Sequence, residues 1–143
     1  MLSLEQRFNI CKQLNTQANE ILSEKQGDKD AAKGALQLYK RALELVASDP
    51  SKLKTKLALM TNCATCFQTL EEWQSVADQT ELVLKQDDNH GKCLKMRAFA
   101  LFHLNRQSDA KDVCVQAIKA SPNDKELRTL YDKIKLLLQQ QKP

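Results

Sequence analysis

Glycine and proline are scarce in this chain, with three of each among 143 residues. Proteins made of many short strands need both to punctuate their turns, so the scarcity argues against a sandwich or barrel and in favour of helices. Long hydrophobic runs are also missing. Nothing approaches the ~18 consecutive apolar residues of a spanning helix, and the N-terminus lacks an apolar stretch ending in a small-residue cleavage site. This fragment is therefore expected not to insert into a membrane. Neither sign of charge dominates, since Lys and Arg number 22 against 18 Asp and Glu. That excess falls short of the basic footprint of a nucleic-acid binder but suits a mildly acidic peptide partner. The five cysteines, Cys11, Cys63, Cys66, Cys93 and Cys114, are odd in number and sit inside helical patterns, which points to a reducing cytoplasm rather than a disulfide framework. No glycine-rich phosphate loop, serine elbow or helical H-E-x-x-H occurs. No catalytic activity and no cofactor are expected.

What the chain does contain is an ordinary globular balance, 42% hydrophobic and 28% charged, and a length suited to one domain over residues 1–143. The first helix is expected from about Ser3 to Lys25, because Leu4, Phe8, Cys11, Leu14, Ala18, Ile21 and Leu22 recur at threes and fours. Ser3 with Gln6 reads as a capping box. The polar link Lys25–Asp28 ends that helix. A second runs from about Lys29 to Ala47 and stops before Pro50, which cannot continue it. Further helices are expected at about 51–69, 72–85, 90–103 and 107–120. Ser121 and Pro122 then read as the cap and first position of a seventh.

Self-similarity organises these helices. Ala64 recurs as Ala98, Phe67 as Leu101, Leu70 as Leu104, Val76 as Ala110, Val83 as Ala117 and Asp88 as Pro122, each one tetratricopeptide period of ~34 residues apart. Small residues at such positions let helices approach closely. The pattern resembles the tetratricopeptide signature. Its first unit carries Ala18, Ile21, Ala35, Tyr39, Ala42 and Pro50; its second Ala64, Phe67, Leu70, Trp73, Val76 and Val83; its third Ala98, Leu101, Leu104, Ala110, Cys114, Ala117 and Pro122.

The resemblance implies an all-α, right-handed superhelical solenoid of seven helices: three helix-turn-helix repeats at about 4–50, 51–88 and 89–122, and a capping helix at about 123–141. That last helix has the amphipathic form of a solenoid cap. The first unit departs from the period, with about five extra residues between its helices and about seven before the second unit. In this it is similar to the repeat domains of immunophilin co-chaperones, whose prolyl isomerase resides on a separate domain outside such a chain.

In the family, the first helices of successive repeats line a groove that grips the C-terminal carboxylate and acidic side chains of a heat-shock chaperone tail. The resemblance carries this role to Asn19, Asn62 and Lys92. Asn15 stands where the pattern has a lysine and Met96 where it has an arginine. A charge-assisted hydrogen bond contributes about 1.5–3 kcal/mol against about 1 for a neutral one, so the clamp is expected to be degenerate and weakened. Lys95, Lys12 and Arg97 lie within a turn of the missing cations. Phe99 is expected to offer an apolar wall, with Thr61, Thr65, Gln68, Thr69 and His103 facing the same groove. The alternative is a scaffold that binds an unrelated internal peptide or associates with itself. Cys63 and Cys66 form a C-x-x-C, but without a second such pair or paired histidines they read as packed thiols. Cys114 reads as core filler.

Overall fold

A computed structural model of the chain describes residues 1–141. The domain expected over 1–143 therefore has its last two positions outside the described residues. Seven α-helices are present among those described: α1 Leu4–Glu24, α2 Lys29–Val46, α3 Leu53–Thr69, α4 Trp73–Gln86, α5 Gly91–His103, α6 Gln107–Ala120 and α7 Lys125–Gln140. They divide into two compact units, Met1–Glu72 and the chain from Trp73 onward.

In the first unit α1 packs on α2, and α2 on α3. The capping box at Ser3 and Gln6 forms as the sequence indicates, satisfying two first-turn N–H groups. Gly27 at φ +78 turns the chain after α1, a backbone that glycine adopts without penalty. Asp28 then caps α2 by accepting from the Ala31 N–H at 3.0 Å. Ala18, Ala35 and Ala42 are fully buried, and their small size sets the helix spacing. Pro50 opens a short 3₁₀ turn, Pro50–Lys52, ahead of α3. It is capped by the buried Asp49, whose Oδ1 accepts from the Ser51 N–H and hydroxyl at 3.0 and 2.6 Å. The helical pattern that restarts at Ser51 is thus 3₁₀ for its first turn, because proline admits no earlier i→i−4 bond.

In the second unit α4 packs on α5, α5 on α6 and α6 on α7. Leu94, Ala98, Leu101, Ala110, Cys114, Ala117, Leu127, Leu130 and Ile134 close into one core, with Cys114 as a buried filler, as expected.

The period is written in the backbone as well as the side chains. At the end of α3 the N–H groups of Leu70, Glu71 and Glu72 donate to the carbonyls of Cys66, Gln68 and Phe67. At the end of α5, 34 residues on, Leu104, Asn105 and Arg106 donate to Ala100, Phe102 and Leu101. Both ends are Schellman-type closures, which need one left-handed residue. Glu71 at φ 58 and Asn105 at φ 61 supply it.

The same offset corrects the start of the last helix. His90 caps α5 by accepting from the Cys93 N–H, and Asp124, one period later, caps α7 by accepting from the Leu127 N–H. Ser121 instead terminates α6, donating its N–H to Ala117. Ser121–Pro122 is a sound local start signal, but an N–H bond from Asp124 to Ser121 closes the chain into a turn there, and the aspartate outcompetes the serine.

The left-handed glutamate generates a prediction. A Cβ in that conformation costs roughly 1–2 kcal/mol, and the Lys29–Glu71 contact at 3.9 Å, exposed on both sides, offsets little of it. Glu71→Gly is expected to stabilise the chain by about 0.5–1 kcal/mol in denaturant melts. Asn105→Gly should be nearly neutral, since asparagine tolerates this region.

Candidate functional site

The first unit gathers polar side chains from three helices. Asn15 and Asn19 lie one turn apart on α1, Tyr39 comes from α2, and Asn62, Thr65 and Thr69 from α3. Tyr39 is 1% exposed, and its hydroxyl donates to Asn19 Oδ1. Burial pushes its phenol up to about 12, so it remains a donor. Asn62 Nδ2 donates to Asn15 Oδ1 at 3.3 Å. Asn19, Tyr39, Asn62, Thr65 and Thr69 line an open cleft of about 410 Å³, whose lining side chains are all uncharged. Such a wall offers hydrogen bonds at fixed positions but no ionic attraction.

The second unit holds Lys92, Lys95, Met96 and Phe99 on α5. Lys92 is exposed and takes part in no ion pair among the described residues. Lys95 is engaged: its Nζ lies 2.8 Å from Asp124 Oδ2 and 3.6 Å from Glu126 Oε2, and that hydrogen bond raises the ammonium's pKa. Met96 is 3% exposed and belongs to the core. Phe99 and His103 share a second cleft of about 400 Å³ with Phe102, Thr129 and Leu130. The His103 ring stacks on Trp73 at 4.1 Å.

Of the cations near the missing positions, Arg97 donates to the Ala77 carbonyl at 2.6 Å, and Lys12 lies 4.8 Å over the Phe8 ring. Sequence reasoning missed the Lys95–Asp124 pair and the Tyr39–Asn19 bond, which join residues 29 and 20 positions apart. The one available signal was Asp124 itself, three residues before a buried leucine.

Cys63 and Cys66 are both buried, with thiols pushed up by burial to about 12 and about 11. Among the described residues no three His, Cys, Asp or Glu side chains gather to hold a metal, and no helix is long and apolar enough to cross a membrane.

No family model matches the chain. Solved structures do. The C-terminal TPR-containing domain of a Plasmodium falciparum FK506-binding protein aligns with 97% of this chain and 95% of its own, at 22% identity and a TM-score of 0.83. This is a tetratricopeptide fold. The tetratricopeptide arrangement recurs in the Hsp90 co-chaperone Cns1 from Saccharomyces cerevisiae, at 23% identity and a TM-score of 0.77, over 94% of this chain and 41% of that one. It recurs again in the first TPR of Spaghetti (RPAP3), solved with the HSP90 peptide SRMEEVD, at 19% identity and a TM-score of 0.72, over 92% and 97%.

The buried thiols generate a pH prediction. Free thiols ionise near 9.0, while the folded Cys63 and Cys66 do so only near 12 and 11. Above pH 9 the unfolded chain therefore holds fewer protons than the folded one, and stability falls as pH rises. Denaturant midpoints should be level up to about pH 8.5 and decline above pH 9. The double substitution Cys63→Ala, Cys66→Ala should make the decline shallower, with Cys114 and Tyr39, also raised by burial, supplying what remains.

Proposed function

We propose that this chain is a non-catalytic adaptor that receives the acidic C-terminal peptide of a heat-shock chaperone through a clamp with fewer cations than the family pattern it resembles. The observation that carries the reading is the pair of asparagines, Asn19 and Asn62, at the uncharged cleft of the first unit, with Asn15 hydrogen-bonded to Asn62. Amide N–H groups suit the lone pairs of a carboxylate or peptide carbonyl. The solved TPR domain of Spaghetti, which carries the HSP90 peptide, supports the same class of ligand. Lys92 is proposed as the cationic contact and Phe99 as an apolar one. Lys95 would contribute only by leaving Asp124, and Met96 by shaping the packing beneath the surface. The proposed repeats are 4–50, 51–88 and 89–122, followed by the cap, and five buried cysteines, an odd number, suit a cytoplasmic setting.

Calorimetric titration with SRMEEVD and with its C-terminally amidated form tests this. The free-acid peptide should bind, with amidation weakening it. Lys92→Glu should weaken it by about tenfold or more, as expected for loss of a charge-assisted bond. Asn15→Lys should strengthen it by several-fold, since a cation there replaces a neutral donor. Absence of binding together with partner capture indifferent to Lys92→Glu would point instead to a scaffold for an internal peptide.

A further inference from the structure

An asparagine amide is ambivalent: turned by half a rotation about its last bond, it presents an acceptor where it had presented donors. Two asparagines one turn apart on α1 thus specify nothing about ligand polarity until something holds them. In this chain both are held through their carbonyls, Asn19 by the Tyr39 hydroxyl and Asn15 by the Asn62 amide. The two holds differ in kind. Asn62 is itself an amide and can reverse together with Asn15, keeping one hydrogen bond with donor and acceptor exchanged. A phenol has no such symmetry. It donates better than it accepts, and Tyr39 is buried beside the cleft on a helix packed against α1. A buried hydroxyl proton left without an acceptor is penalised, and Asn19 Oδ1 is the acceptor it has.

We infer that Tyr39 is the positioning residue that sets the polarity of the first-unit cleft, locking Asn19 with its NH2 outward so that α1 selects ligand groups that accept hydrogen bonds over groups that donate them. A carboxylate or a peptide carbonyl fits that wall. A terminal amide offers one accepting oxygen where the carboxylate offers two, and an ammonium offers none. The inference rests on the reading of the cleft as a peptide site and adds to it the residue that decides which peptide terminus is taken. Because Tyr39 and Asn19 are neutral, their share of this selection should be less sensitive to added salt than the contribution of Lys92.

The test is Tyr39→Phe, which keeps the buried ring and removes one oxygen, with denaturant melts confirming the fold. Affinities for SRMEEVD and its amidated form are measured on both proteins, and the side-chain NH2 resonances of Asn19, assigned by their loss in Asn19→Ala, are recorded without peptide. The wild type should prefer the free acid by about tenfold or more, and Tyr39→Phe should reduce that preference by about three- to tenfold, the size of one neutral hydrogen bond. The Asn19 NH2 resonances should move in Tyr39→Phe. Asn19→Asp, which keeps an acceptor for Tyr39 but has no N–H to offer, should lose the free-acid peptide. An unchanged preference in Tyr39→Phe overturns the inference. If the wild type binds neither peptide, the tail reading fails by itself, and the resonances decide: a shift on loss of the hydroxyl supports positioning by Tyr39, and identical spectra refute it.

Discussion

Small side chains at helix crossings are the constraint on which the molecule depends. Ala18, Ala35 and Ala42 in the first unit and Ala98, Ala110 and Ala117 in the second are each completely buried. A methyl group at a crossing lets two backbones approach until the larger neighbours, Tyr39, Leu59, Leu101, Leu127 and Ile134, fill the space beside it. Adding methylenes at such a position costs typically 1–3 kcal/mol in forced rotamers and displaced backbone. That close approach also brings functional groups together. Tyr39 reaches Asn19, and Asn62 reaches Asn15, because α2 packs against both α1 and α3.

Burial and exposure then divide the labour among similar residues. Two lysines three positions apart on α5 differ wholly: Lys95 is tied to the cap of α7 through Asp124, whereas Lys92 faces solvent. The first pair is part of the architecture, since Asp124 both caps α7 and holds Lys95. The asparagines show a similar division. Asn15 and Asn19 are bonded through their carbonyls, to the Asn62 amide and the Tyr39 hydroxyl, whereas Asn62 is bonded through its N–H, so a neutral wall acquires direction without acquiring charge. The C-x-x-C motif is the opposite case, with its sulfurs sealed in the core and their ionisation suppressed by the apolar surroundings.

Much of this was legible in the sequence because the repeat imposes one answer at many positions. Ala64 with Ala98, and Val76 with Ala110, announce the period, and the helix ends at Thr69 and His103 follow it to the residue. The beginning of α7 was not legible from local signals, because Ser121–Pro122 and Asp124 are both credible starts. The offset from His90 settles it, but only once His90 is known to be a cap. The site was legible in its residue types and not in its wiring. Asn19 and Asn62 were named from the resemblance, yet the bond from Tyr39 links residues on separate helices and has no sequence period. Met96 stands where the family pattern has an arginine, and the packing of α5 buries it.

The central proposal is that a wall of oriented amides receives the end of another protein's chain. Titrating the ¹⁵N-labelled chain with an acidic, free-acid heptapeptide and following the side-chain NH2 signals of Asn15, Asn19 and Asn62 addresses it most directly. The account predicts saturable shifts at all three, accompanied by a shift at the Lys92 backbone amide. Saturable shifts elsewhere that leave those three signals in place would contradict it.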